Sequence, residues 1–216
     1  MLYGPEQQKL QKALGTEKLA ERVAEAIVVT ELNEQHQNFI ASRELFFLTT
    51  VDHRGYPTCS YKGGNPGFVK VLDNKTLLFP SYDGNGMFLS MGNINENNKV
   101  GLLFIDFETP HRVRVHGTAT IEKNSGLLAE SFEAELIVRV SVTEAFVNCP
   151  RYIHQYQRIA TSKYVPQAGR VTPVPQWKRI DAIQDCLPEK DKLSVAALGE
   201  PISPENYAEL LQKGEG

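Results

Sequence analysis

The chain has 216 residues, 41% of them hydrophobic, which is enough for one domain with a real core and helical additions. Twenty-three basic residues face 26 acidic ones, for a net charge of −3, so there is no global basic field of the kind a nucleic-acid partner requires. Three cysteines, Cys59, Cys149 and Cys186, form no Cys-x-x-Cys pair; this argues against a disulfide framework and a structural zinc site and points to a reduced, cytoplasmic setting. No apolar run reaches the ~20 residues of a membrane span, and the polar start, Met1 to Lys12, lacks the apolar core of a signal peptide.

The elements follow in chain order. Thr16 is placed to cap a helix in which Leu19, Val23, Ala26 and Ile27 share one face. Thr30 to Ile40 reads as a second helix. The period then changes to that of strands: Leu45–Val51, a turn at Asp52-His53-Arg54-Gly55, and a return strand from Thr58 to Lys62. Phe68–Leu72 and Thr76–Phe79 form a hairpin around Asp73-Asn74-Lys75. Gly86 to Asn93 reads as a short helix, Val100–Phe107 and Val113–Ile121 as strands, Gly126–Glu133 as a helix and Leu136–Val147 as a strand. Pro150 suits the first turn of a helix after Asn148-Cys149. Thr161 to Lys178 reads as loop, and Pro204–Lys213 as a terminal helix capped by Ser203. The connections between strands are mostly too short for parallel βαβ units, so the expected class is mainly β with α additions (α+β), a small β-barrel. The expected organisation is a helical extension over 1–42, a barrel domain over 43–160, and a loop and helix over 161–216 packing on the barrel.

Three groups of residues near the expected barrel rim could hold a phosphate. The step Ser81-Tyr82-Asp83-Gly84-Asn85-Gly86 leads from a strand into a helix, where free backbone N–H groups and glycines form an anion cradle. Gly84 and Gly86 serve a plain tight turn equally well. Ser60 and Lys62 alternate on one strand face, as do Arg112 and Arg114. Solvated surface cations explain these pairs too. Cys59 suits an inert packing role. His111 and His116 are separated by an odd number on a strand and so do not form a metal pair. Cys149 with His154 lacks an oxyanion hole and a third member, so no nucleophilic catalyst and no metal centre is read, and no residue stands out as a general acid or base.

The stretch from Phe39 to Glu122 resembles the FMN-binding split β-barrel of the pyridoxamine 5'-phosphate oxidase-like superfamily. The likeness is carried by Thr50-Val51-Asp52 with Gly55-Tyr56-Pro57, by Thr58-Cys59-Ser60-Tyr61-Lys62 in place of the strand along the flavin, by Phe79-Pro80-Ser81, and by His111-Arg112-Val113-Arg114-Val115-His116-Gly117. The resemblance implies a dimeric split barrel in which two chains share each flavin. It implies FMN, with deazaflavin F420 as a family option, contacted by Cys59, Ser60, Tyr61, Lys62, Ser81, Asn85, Gly86, Met87, Arg112 and Arg114. Here the family's strand Arg is Ser60, its Arg-Lys phosphate pair is Gly86-Met87, and its later Gln is Arg112; Lys62 and Arg112 are the expected replacement cations. The family oxidase ends in an Arg-rich strand, whereas Tyr207 to Lys213 reads as an acidic helix, which makes oxidation of pyridoxamine phosphate itself doubtful. The closer likeness is to the uncharacterised flavin-nucleotide-binding relatives. The expected role is an FMN-dependent oxidoreductase acting on a small organic substrate with an NAD(P)H partner. A non-enzymatic flavin-binding or shuttling protein and a haem-handling split barrel are the alternatives.

Overall fold

The computed structural model describes residues 2–123, 126 and 131–216, which divide into two compact units, Met1–Thr161 and Ser162–Gly216. Among the described residues no helix is long and apolar enough to cross a membrane.

The first unit is built on eight strands: β1 Val28–Val29, β2 Leu45–Val51, β3 Pro57–Gly63, β4 Lys70–Asp73, β5 Thr76–Tyr82, β6 Lys99–Asp106, β7 His111–Glu122 and β8 Ala134–Val147. They join in the order β3-β2-β6-β7-β8-β5-β4, every pair antiparallel, with β1 added beside β8. β8 is 14 residues long and serves three partners. Register shifts at Ser81/Tyr82 and His116/Gly117 curl the sheet. At the second shift a Cβ on Gly117 would stand 2.4 Å from the Ser141 carbonyl oxygen, so only glycine fits there. The concave side is filled by alternate residues: Phe46 packs its ring 5.0 Å from that of Phe79 and 5.1 Å from that of Phe104, all three buried. This is the α+β class with a barrel expected from the short connections, in the split form that the resemblance implies.

The strands expected from Leu45 onward are all present, with ends moved by a few residues. The helices differ more. α1 (Pro5–Ala13) was not legible as an apolar stripe. α2 (Glu17–Ile27) follows Thr16, whose hydroxyl turns back to the Gln11 carbonyl instead of capping the helix. The second expected helix begins only at Glu34: Val28 and Val29 pair with β8 first, and Asn33 Oδ1 then accepts the His36 N–H at 2.9 Å to cap α3 (Glu34–Ala41). No helix starts at Asn148-Cys149-Pro150; that segment turns through Tyr152 at φ 71° and crosses the β6–β7 tip, with the Tyr156 N–H donating to the Phe107 carbonyl at 3.1 Å. Residues 127–130 of the helix expected over Gly126–Glu133 lie outside the described residues.

The second unit has short 3-10 turns at Gln176–Arg179 and Asp181–Cys186, then α5 (Glu189–Ala196) and α6 (Pro204–Gln212). Buried Lys178 pairs with Asp191 at 3.0 Å. Ser203 caps α6 as expected, its Oγ accepting the Asn206 N–H at 3.2 Å.

Candidate functional site

Among the described residues β3 is an edge strand with β2 as its only neighbour. Its register places Thr58, Ser60 and Lys62 opposite Thr50, Leu48 and Phe46, all three buried, on the concave side. Cys59 and Tyr61 alternate to the outer side and are exposed. Edge strands leave every second backbone N–H and C=O without a sheet partner, so Cys59 to Tyr61 present main-chain groups to whatever lies alongside.

The concave side of β3 is covered by a helix that enters from the far end of the sheet. β5 ends at Ser81 and Tyr82, residues 83–88 run exposed, and α4 spans Leu89–Glu96. Ser90 Oγ lies 3.2 Å from Ser60 Oγ. One turn on, buried Asn93 donates from Nδ2 to Thr50 Oγ1 at 3.0 Å and to Thr58 Oγ1 at 3.2 Å, while the two threonine hydroxyls sit 2.8 Å apart. Met91 and Ile94 enter the core beside them. The helix is thus stitched to β2 and β3 by hydroxyl and amide groups. A buried amide without such partners costs ~1–3 kcal/mol.

The helix starts three residues later than the sequence predicts. Gly86 has φ 76° and Phe88 φ 46°, both in the left-handed region that interrupts a right-handed helix. Asn85 Oδ1 accepts the Met87 N–H at 3.1 Å, an Asx turn. The Met87 N–H is therefore engaged within the loop. No side chain caps α4, which leaves its own first-turn N–H groups for an anion.

Lys62 stands two residues along β3 from the Ser60–Ser90 contact. Its side chain is half-buried and, among the described residues, makes neither a hydrogen bond nor an ion pair. Burial pulls its pKa below the ordinary lysine value. Tyr82, half-buried at the start of the loop, has its phenol pushed up by the same cause. Ser81 is half-buried at the end of β5.

The arginines lie elsewhere. Arg112 pairs with Ile105 and Arg114 with Leu103, whereas Lys62 leads through Phe46 to Phe104 and Val113. Lys62 and the two arginines consequently occupy opposite faces of one sheet. Arg112 Nη2 donates to the Cys149 carbonyl at 2.9 Å, and its Nε is buried without an acceptor. Arg114 is exposed. Within one chain, Ser60 and Lys62 share the strand face that meets α4, Arg112 and Arg114 lie on the other face, and Ser81 stands at the end of β5 where the loop to α4 begins.

The residues missed in the sequence are Thr50, Thr58, Ser90 and Asn93. The signal for the helical pair was its three-residue spacing beside apolar Met91 and Ile94, which marks polar groups on a buried face. All three cysteines are free and exposed. His111 meets the ring of Phe39, 4.7 Å away, and His116 pairs with Glu144 at 2.9 Å. The described residues contain no cluster of three or more His, Cys, Asp or Glu side chains suited to a metal ion.

An antiparallel barrel with an edge strand, and a helix whose open N-terminus lies over that strand, define a split-barrel domain. The family model for pyridoxamine 5'-phosphate oxidase matches residues 32–160, which covers β2–β8, α3 and α4, and the chain belongs to that family. Comparison with curated proteins gave no match. Among solved structures the chain is similar to HupZ of Group A Streptococcus (19% identity, 58% of this chain and 100% of that one, TM-score 0.46). It is also similar to an FMN-binding protein of Syntrophomonas wolfei (11% identity, 65% and 97%, TM-score 0.45) and to HutZ, the heme storage protein of Vibrio cholerae (19%, 54% and 94%, TM-score 0.40). With TM-scores under 0.5, these likenesses add nothing to the family assignment.

Proposed function

We propose that this chain is a homodimeric FMN-binding flavoprotein, an oxidoreductase acting on a small organic substrate with NAD(P)H as electron partner. The observation that carries the reading is Lys62: a half-buried amino group without a partner among the described residues, two residues from a serine pair that holds the uncapped start of α4 against an edge strand. A cation, hydroxyls and open N–H groups at one place suit a phosphate ester. In this reading Lys62, Ser60, Ser81, the Asn85 and Gly86 N–H groups and the first turn of α4 hold the phosphate. The loop around Met87 shapes the entrance. The edge backbone from Cys59 to Tyr61 meets the ring. Arg112 and Arg114, on the outer face, serve a flavin shared with a second copy.

Bound FMN supplies the two-electron chemistry; the chain binds, orients and shields it. The residues around Lys62 include no evident general acid or base, which fits a role in positioning.

The test is the colour of the purified protein, the mass of the released cofactor and its response to NADH and NADPH. FMN bands that bleach and return in air support the proposal. FMN that no nicotinamide donor bleaches indicates a flavin-binding protein without this activity. A released F420 or haem overturns the FMN assignment.

A further inference from the structure

The C-terminal unit holds a cavity of about 330 Å³ lined wholly by its own residues, within the roughly 300–1,000 Å³ of small-molecule sites. Its apolar lining comes from Leu187, which follows the second 3-10 turn, from Val195 and Ala196 at the end of α5, and from Pro201. Leu187 and Val195 are buried. Past α5 the chain reverses at Gly199, whose φ of 110° is open to glycine and strains other residues. The returning chain is pinned to the first 3-10 turn. The Ile202 N–H donates to the Arg179 carbonyl and the Asp181 N–H to the Ile202 carbonyl, each at 2.9 Å.

This reversal brings the Glu200 main-chain oxygen onto the side chain of Arg179, a half-buried cation that lines the cavity. Arg179 donates to that oxygen from Nε at 3.1 Å and from Nη2 at 2.6 Å, and to Gln176 Oε1 from Nη1 at 3.0 Å. These acceptors are neutral, and among the described residues Arg179 has no carboxylate partner. Three of the five guanidinium N–H groups are thereby engaged, and one on each of Nη1 and Nη2 is left over. The other cation of the lining, Lys192, is already paired with Glu189. The recess therefore offers one uncompensated positive charge beside an apolar lining. A guanidinium grips a carboxylate through parallel N–H···O bonds. A phosphate dianion fits less well, because Glu200, which meets Arg179 only through its main chain, adds a carboxylate to the exposed rim.

We propose that this cavity binds a small carboxylic acid with an apolar body, its carboxylate on Arg179 and its carbon chain against Leu187 and Val195. The probe is octanoate, titrated calorimetrically into the full chain. It should bind at one site per chain, with acetate and 1-octanol at least tenfold weaker, since the first lacks the body and the second the charge. Arg179→Met should weaken octanoate about tenfold or more, the effect of losing a charged hydrogen bond. That substitution also removes bonds within the unit, so Ala196→Phe is the second variant: it fills the cavity and leaves those bonds in place, with the same expected loss. In the wild type octanoate should protect Arg179 from phenylglyoxal, read by peptide mass spectrometry, which needs no variant. Octanoate binding unchanged in either variant overturns the proposal, as does an Arg179 that octanoate leaves unprotected. A wild type that takes up no octanoate at about 1 mM overturns it as well. Equal affinity for 1-octanol removes the charge from recognition, and inorganic phosphate binding as tightly as octanoate removes the apolar body; either result overturns the carboxylic acid assignment.

Discussion

Ser60 on the edge strand and Ser90 in the first turn of α4 place their hydroxyl oxygens 3.2 Å apart across 30 residues of sequence. This contact sets the uncapped start of α4 against β3 two residues from half-buried Lys62, which makes no hydrogen bond or ion pair among the described residues. Each element alone is ordinary. Together they are the groups to which the proposed function assigns the phosphate.

Removing the cation should weaken cofactor binding. Lys62→Met is expected to raise the dissociation constant for FMN by ~10–100-fold, the range for losing one charged hydrogen bond of ~1.5–3 kcal/mol. Flavin fluorescence quenching measures it. An unchanged constant would remove Lys62 from the site. Because burial lowers its pKa, wild-type affinity should begin to fall as pH rises while still short of the ordinary 10.5, and the Met variant should lose that dependence.

Lys62 and Arg112 should act independently. They lie on opposite faces of the sheet, and Arg112 is already engaged with the Cys149 carbonyl. A double-mutant cycle with Lys62→Met and Arg112→Ala should show additive effects on FMN affinity within ~0.5 kcal/mol. A larger coupling would mean that both grip one phosphate.

Asn93 should matter for stability and, through the helix it holds, for the cofactor. Asn93→Ala leaves Thr50 and Thr58 without the amide donor and opens space at a buried position. The expected loss is ~1–3 kcal/mol in urea unfolding, with faster FMN release. Thr50→Val combined with Thr58→Val should partly mimic it. A stable Asn93→Ala protein with normal release would show that α4 is held by Met91 and Ile94 alone.

Mild acid should destabilise the α3 region. Burial first, and the nearby His111 second, depress the pKa of His36 below its ordinary 6.5; its Nδ1 is buried without a partner. Below pH 6.5 the unfolded chain binds the proton before the folded one does. Stability from this group is therefore full above 6.5 and lost as pH falls towards the depressed folded value. His36→Phe should flatten the curve of unfolding free energy in that window. A slope that the substitution leaves intact would place the titrating group elsewhere.

The strands of the barrel were legible because each alternates over several residues between turn signals. Leu45–Val51 came out with the same limits in sequence and structure. The pairing of Ser60 with Lys62 on one face followed from the period of two alone. The helix ends were not legible. The start of α4 depends on two left-handed residues, Gly86 and Phe88, and no pattern announces a phenylalanine in that conformation. Likewise Val28 and Val29 fall between the two helices expected from sequence, and pairing with Phe146 and Ala145 draws them into the sheet.

What the sequence determined by itself was the inventory: an antiparallel barrel, a glycine-bearing step before a helix, and cations on two strands. Only the tertiary structure decided which of these meet. β3, β2, β6 and β7 lie side by side, and alternation sends Lys62 to one face and Arg112 and Arg114 to the other. Faces are fixed locally by the period of a strand. Neighbours are fixed by long-range pairing, which residue spacing along one chain does not encode.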